Sequence, residues 1–326
     1  MSYTIGNYGE LVADKARCGA YLSSMKALIT PKSVVVDIGA GAGFFALAAL
    51  KMGAARVFAI EPNRAIRIAP EFAKEMGFAD RFSIYEELST KVTLPEKCDL
   101  IISDLRGAFP LVPGNFDALV DARTRFLKPD GVLLPFQDAF RVALVSSEEL
   151  YSWTYRTWID PAIGETAVGR RVGANNVYNP RLIEAEEIVS NAETWATVRY
   201  GVPTTAQAFA GKVELRSKLD TVVHGLGVWF DSVTFASPTL GTFGYSNAPK
   251  RRDTVYGHQF LPLDRPLTLK AGEVLIVDIS VDPSGLLWSW SLQQGAHFEQ
   301  HSNFLGGDIG FLVREASLVA PPPPVV

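Results

Sequence analysis

The chain has 326 residues, 48% of them hydrophobic and 20% charged, with 31 Lys and Arg set against 35 Asp and Glu. A formal net charge of −4 excludes the basic footprint of a nucleic-acid binder or of a protein held on an anionic membrane, and the length leaves room for two domains with cores of their own. Cys18 and Cys98 are the only two cysteines and lie far apart, which argues against a disulfide scaffold or a zinc site; with no signal peptide and no apolar run of spanning length, a cytoplasmic location with no metal is expected.

Residues 1–30 read as a helical segment, because Leu11, Val12, Ala16, Ala20, Tyr21 and Met25 recur at near-helical spacing with Asp14 and Arg17 between them. Val34-Val35-Val36 then reads as a buried parallel strand, and the Ala/Leu-rich run through Leu50 as the helix that follows a glycine turn. The next strand, Arg56–Ile60, ends in Glu61, and a helix is expected from Pro62 to about Gly77. A short strand at Phe82–Tyr85, a polar turn at Leu88-Ser89-Thr90, a strand through Cys98–Asp104 and a helix over Ala118–Phe126 come next. Lys128-Pro129-Asp130-Gly131 reads as a turn leading into strand Val132–Pro135. This alternation predicts an α/β fold, with a Rossmann-like doubly wound parallel sheet over residues 31–138 and its ligand at the carboxyl ends of the strands.

From about residue 139 the period changes. Ala139–Val145, Ala196–Tyr200, Lys212–Lys218, Val222–Val233 and Val274–Val281 alternate in the manner of strands between Pro, Gly and Asn turns, so residues 139–315 are expected to form an antiparallel β-barrel or sandwich. An aromatic and charged stretch at about 147–185 interrupts them as an excursion, and a Pro-rich tail occupies 316–326.

In Asp37-Ile38-Gly39-Ala40-Gly41-Ala42-Gly43, glycines at alternate positions let a ligand approach the backbone. A dinucleotide fingerprint wants its third glycine at position 44, which is Phe44, so a nicotinamide or flavin is disfavoured. The acid two places before the first glycine instead resembles the nucleoside-binding turn of class I S-adenosylmethionine-dependent methyltransferases, and Glu61 is placed to accept hydrogen bonds from both hydroxyls of a ribose. The plainer alternative is a βαβ turn with no cofactor.

A nucleoside-binding half followed by a β-barrel resembles the protein arginine methyltransferases. The stretches that carry the likeness are Asp14–Tyr21, similar to that family's Asp-x-x-Arg-x-x-x-Tyr helix, Leu94–Ser103 before its acceptor loop, and His224–Asp231, similar to its barrel signature; Ser246–Pro249, Thr254–Tyr256 and Leu267–Glu273 resemble the region that closes its site. The resemblance implies S-adenosyl-L-methionine as cofactor, held by Arg17, Asp37, Gly39, Gly41, Gly43 and Glu61, with Ser89 and Thr90 at the adenine positions where the family keeps acids. It also implies a homodimer joined through an arm at 147–185 and a lid carrying Tyr3 and Tyr8. For Arg17 the alternative is a surface pair with Glu10 or Asp14.

The acceptor side departs from the pattern. The first of the family's two guanidinium-pinning glutamates falls on Asp104, the second on Pro113, and its Thr-His-Trp loop becomes Thr254-Val255-Tyr256. Asp104 and His258 are the catalytic candidates, a hydrogen-bond acceptor and a base near neutral pH, although a histidine in a barrel turn also serves as an ordinary hydrogen-bonding residue. Arg106 either attracts an acidic substrate or caps its loop, and Tyr256, Trp288 and Trp290 are expected to wall the acceptor cleft, although aromatics at period 2 such as Trp288 and Trp290 more often serve core or sheet packing. The first reading is an N- or O-methyltransferase acting on a small molecule or peptide. The alternative is a protein arginine N-methyltransferase that uses Asp104 and a further acidic residue which the sequence does not place, such as Asp117 or Asp121, and a non-catalytic cofactor-binding scaffold is the third reading.

Overall fold

The computed structural model describes residues 3–107, 109, 114–156, 164, 166–178, 182–203, 205, 207–249, 254–282 and 287–303. Pro113 and the tail at 316–326 lie outside the described residues. The amino-terminal half is a five-stranded parallel sheet in the order β3-β2-β1-β4-β5, formed by β1 (Val34–Ile38), β2 (Arg56–Ile60), β3 (Phe82–Tyr85), β4 (Cys98–Ser103) and β5 (Leu127–Leu134). Every residue of β1 is buried, as an apolar strand between two neighbours and two helical layers requires. The chain moves outward from β1 to β3, then returns to lay β4 on the other side of β1. That reversal makes the carboxyl ends of β1 and β4 the switch point, where such sheets open a crevice.

The helical preface is two helices, α1 (Ile5–Ala13) and α2 (Lys15–Leu28), hinged at Asp14, whose side chain accepts from the Arg17 amide and caps α2. α3 (Phe44–Lys51) follows β1. The helix expected after Pro62 is split into a tight turn at Arg64–Ile68 and α4 (Ala69–Glu75), where Pro70 stands in the first turn. α5 (Asn115–Arg125) precedes β5. The strand expected from Val132 begins earlier, at Leu127, because Leu127 pairs with Cys98 across a register shift and Lys128 Nζ reaches Asp99 Oδ1 at 2.7 Å.

The carboxyl-terminal half holds two antiparallel sheets. One contains β6 (Gln137–Val145), β7 (Glu193–Arg199), β9 (Thr221–Ser237), β10 (Gly241–Ser246) and β11 (Gln259–Leu269); the other contains β8 (Ala210–Arg216), β12 (Val274–Val281), β13 (Trp288–Gln294) and β14 (His297–Ser302). The excursion carries α6 (Glu148–Arg156) and α7 (Ala167–Ala174) and returns to the sheet through a bridge between Tyr178 and Phe260. β11 escapes the sequence pattern because Pro262 and Pro266 interrupt it; the ladder to β9 shifts register between Pro262 and Leu267, the kind of irregularity at which a strand tolerates proline. Among the described residues no helix is long and apolar enough to cross a membrane.

The two sheets press together where β7 crosses β8. A Cβ on Gly211 would collide with the backbone carbonyl of Trp195, so only glycine lets the strands come this close. Gly211→Ala is therefore expected to cost about 1–3 kcal/mol, the usual range for overpacking. It should lower the denaturant midpoint without altering the slope of the unfolding transition.

Candidate functional site

The crevice at the switch point is built first from backbone. Gly39, Gly41 and Gly43 all take positive φ, at 70°, 56° and 88°. Gly41 donates its N–H to Glu61 Oε2 at 2.9 Å, and a Cβ there would fall 2.5 Å from the ring of Tyr8, which α1 lays across the turn. Glu61 is buried, and its other oxygen accepts from the Asn63 amide at 2.8 Å, so each carboxylate oxygen keeps a lone pair free of these bonds. Asp37 faces the opposite way and accepts from the Ala46 amide in the first turn of α3 at 3.0 Å. Its carboxyl is pushed up to about 7 by burial, against the pull of the Ala46 hydrogen bond.

Arg17 is no surface pair with Glu10 or Asp14. It is buried on α2, with Nη1 donating to Asp104 Oδ2 at 2.6 Å and Nη2 to the Leu11 carbonyl at 2.7 Å, while its guanidinium lies over the Phe45 ring. Burial pulls its pKa down, but Asp104 and then Tyr256 outweigh that and hold it above the ordinary value. Its Nε, fully enclosed, has no hydrogen-bond partner. A buried donor without an acceptor costs the protein roughly 1–3 kcal/mol. An acceptor group on a bound ligand would relieve that cost.

Asp104, just past the end of β4, is the centre of the site. Its Oδ2 accepts from Arg17 and from the Tyr256 hydroxyl at 2.8 Å, and its Oδ1 accepts from Arg106 Nε at 3.1 Å. The Tyr21 hydroxyl stands 3.4 Å from the same Oδ1 and donates more closely to the Ser103 carbonyl, at 2.8 Å. Burial with the Asp104 charge pushes the Tyr256 phenol well up.

Arg106 neither caps a loop nor faces solvent. It is 1% exposed, and its Nη1 donates to both oxygens of Asp138, at 2.7 and 2.8 Å, and to Ser232 Oγ at 2.8 Å. Nη2 lies 3.1 Å from the Tyr21 hydroxyl, and the rings of Tyr200, Phe230 and Tyr245 surround the guanidinium at 5.3–5.4 Å. Asp138, on β6, is fully buried and also accepts from the Tyr200 hydroxyl at 2.5 Å. It is the second carboxylate of this buried network, which neither of the acids named as examples from the sequence, Asp117 and Asp121, joins. Asp117 is exposed, and Asp121 is held by Arg125 on its own helix.

Two more expectations are corrected. His258 is not a poised base: it is buried, Nδ1 accepts from the Ile183 amide at 2.7 Å, and Nε2 meets the Asn247 carbonyl at 2.6 Å and so must carry the proton. Burial lowers its pKa, against the opposing pull of the Asn247 carbonyl. Trp288 packs on Phe109 and Trp195, and Trp290 stacks on His301, so both belong to the interior of the strand-rich half. Thr90 is exposed, and the Ser89 carbonyl is taken by Arg125 Nη2 at 2.7 Å.

Comparison with known proteins matches both halves. The family model described as ribosomal protein L11 methyltransferase matches residues 18–134. Protein arginine N-methyltransferase 1.1 of Arabidopsis thaliana is 27% identical over 286 residues, 86% of this chain and 72% of that protein. Protein arginine N-methyltransferase PRMT10 of Oryza sativa is 36% identical over 141 residues, 43% of this chain and 37% of that protein. In fold, the chain superposes with a TM-score of 0.81 and 23% identity on a chain of the Trypanosoma brucei PRMT1 enzyme-prozyme heterotetrameric complex with AdoHcy, over 92% of this chain and 99% of that one.

The unfolded chain releases the Asp37 proton near pH ~3.9, the buried carboxyl near 7. Between those values the native state binds the extra proton, so this group's contribution to stability is full below about pH 4 and declines as pH rises through about 7. Asp37→Asn keeps an acceptor for the Ala46 amide and removes that decline. Denaturant midpoints measured from about pH 5 to 8 should therefore shift progressively in favour of the variant.

Proposed function

We propose that this chain, protein arginine methyltransferase-like in sequence and in fold, is an S-adenosylmethionine-dependent methyltransferase. The observation that carries the reading is the Nε of the buried Arg17, without a hydrogen-bond partner among the described residues, on a guanidinium that lies over Phe45 in the helix following a left-handed glycine turn. A methionine carboxylate is the acceptor that this donor lacks, and the free lone pairs of Glu61 suit a ribose diol. When bound, the cofactor supplies an electrophilic methyl group on a sulfonium. The protein's share is to orient the acceptor and exclude water, and Asp104 is the carboxylate positioned to take a hydrogen bond from the acceptor's N–H or O–H.

For the acceptor, the names of the relatives put an arginine side chain of a protein first. A small molecule or a peptide with a neutral N–H or O–H is the second reading. It is favoured by the state of Asp104, whose two oxygens already serve Arg17, Arg106 and Tyr256. Transfer of a labelled methyl group to arginine-rich peptides, and separately to lysate metabolites, distinguishes the two readings.

A homodimer fits the exposed apolar surface. Trp153 projects from α6, while Ile68, Phe72 and Met76 stand four residues apart on the outer side of α4, each more than a third exposed. Sedimentation at micromolar concentration should give twice the monomer mass, and Trp153→Glu should return it to the monomer.

Loss of a charge-assisted hydrogen bond is worth roughly 1.5–3 kcal/mol, or about 10- to 150-fold in affinity. Arg17→Met should weaken S-adenosylhomocysteine binding by that factor in calorimetry. Unchanged affinity would remove Arg17 from the site, and no binding by the unaltered chain would remove the methyltransferase reading.

A further inference from the structure

The acceptor side of the crevice already contains a guanidinium. Arg106 lies between two carboxylates, Nε on Asp104 and Nη1 on Asp138, in a box of Tyr21, Tyr200, Phe230 and Tyr245. Planar donors opposed by carboxylates from two sides, with aromatic rings around them, form a seat complementary to that group. The chain fills the seat itself.

We infer that Arg106 is the specificity-determining residue of the acceptor chamber: by occupying the guanidinium seat between Asp104 and Asp138, it closes the site to arginine side chains and leaves it open to neutral acceptors. This rests on the methyltransferase reading and decides between its two acceptors.

Charge balance supports the inference. The buried network holds two cations, Arg17 and Arg106, against two anions, Asp104 and Asp138. An entering guanidinium would add an unmatched positive charge in a desolvated chamber, at a cost of several kcal/mol. If the cofactor's carboxylate draws Arg17 away, Arg106 still neutralises Asp104. Competition for the seat is also unequal, because a tethered group acts at an effective concentration of millimolar or more, whereas an external one must surrender its own freedom. A neutral amide, amine or hydroxyl brings no charge and needs only one acceptor lone pair.

The test compares the unaltered chain with Arg106→Met, which empties the seat and leaves both carboxylates, and with Arg106→Lys, which keeps a cation in place. Each is saturated with S-adenosylhomocysteine and titrated with an arginine-glycine peptide and with the same peptide carrying citrulline, the neutral isostere. Methyl transfer to the arginine peptide is measured in parallel. The expected result is that Arg106→Met gains at least about tenfold in affinity for the arginine peptide but not for the citrulline peptide, and methylates it, while the unaltered chain and Arg106→Lys do neither.

The inference is overturned if the unaltered chain binds and methylates the arginine peptide, a result that needs no variant to fold. It is also overturned if Arg106→Met, with melting temperature and S-adenosylhomocysteine affinity retained, gains nothing. Failure of the unaltered chain to bind S-adenosylhomocysteine at all would remove the methyltransferase reading, and this inference with it.

Discussion

One carboxylate ties this molecule together. Asp104 leaves the end of a parallel strand and receives Arg17 from the amino-terminal helices, Arg106 from its own loop and Tyr256 from the strand-rich half. Through Arg106 the chain of contacts continues to Asp138 and Ser232 on β6 and β9. The four charges alternate in sign along a buried line, and that alternation makes them tolerable: removing one partner of a buried pair is strongly destabilising because it strands the other. The interface between the halves and the floor of the crevice are therefore the same set of bonds. A neutral bond between Ser24 and Thr234, 2.8 Å and wholly buried, fastens the same two halves nearby, which fixes their relative orientation before any ligand arrives.

The two sides of the crevice are made of different material. The nucleoside side is chiefly backbone: left-handed glycines, amide donors and a single acid, positioned by β1 and β2. Such a surface follows once the strand-turn-helix unit forms, and distant side chains have little hold on it. The acceptor side is a collection of side chains from β4, β6, β9, β10 and the loop at Tyr256. Each can change without disturbing the sheet, provided that charge and volume stay balanced. An arginine in the chamber is balanced by an aspartate on β6, so the exchange is complete within the network.

This difference also explains what was legible in the sequence. The glycine turn, the acid at the end of β2 and the parallel half were readable because they depend on short-range patterns: three apolar residues, alternate glycines, an acid at a strand end; Arg17 was named only through the family resemblance. The pairing of Arg106 with Asp138 was not, since it joins residues 32 apart that belong to different halves. One signal was available. Asp138 shares strand parity with Phe140, Val142 and Leu144, so a charge sits on the face of β6 that points into the core, and a charge there needs a partner. His258 misled for the opposite reason: near-neutral titration is a property of the free side chain, and burial between Ile183 and Asn247 fixes which nitrogen holds the proton. The strands β13 and β14 lie outside the segments expected from the sequence, although Gly295 marks their turn and the alternation of Trp288 and Trp290 with serines is that of a pleat.

Burying an arginine completely demands compensation for the hydration it loses, and three kinds are present around Arg106. Asp138 supplies the opposite charge in a geometry that only a fork of donors can match, and for this reason lysine is not equivalent. Tyr200, Phe230 and Tyr245 present ring faces, which attract a cation more strongly once water is excluded. The Tyr200 hydroxyl bonds Asp138 rather than the arginine, so the anion is itself oriented and its remaining lone pairs are used. Burial pulls the Arg106 pKa down, yet Asp138 and the neighbouring phenols outweigh it and raise the value well above that of a free side chain. A group so fully satisfied gains nothing by leaving. The chamber it fills is therefore a fixed boundary of the crevice, and any acceptor has to fit the space on the Tyr256 side of Asp104.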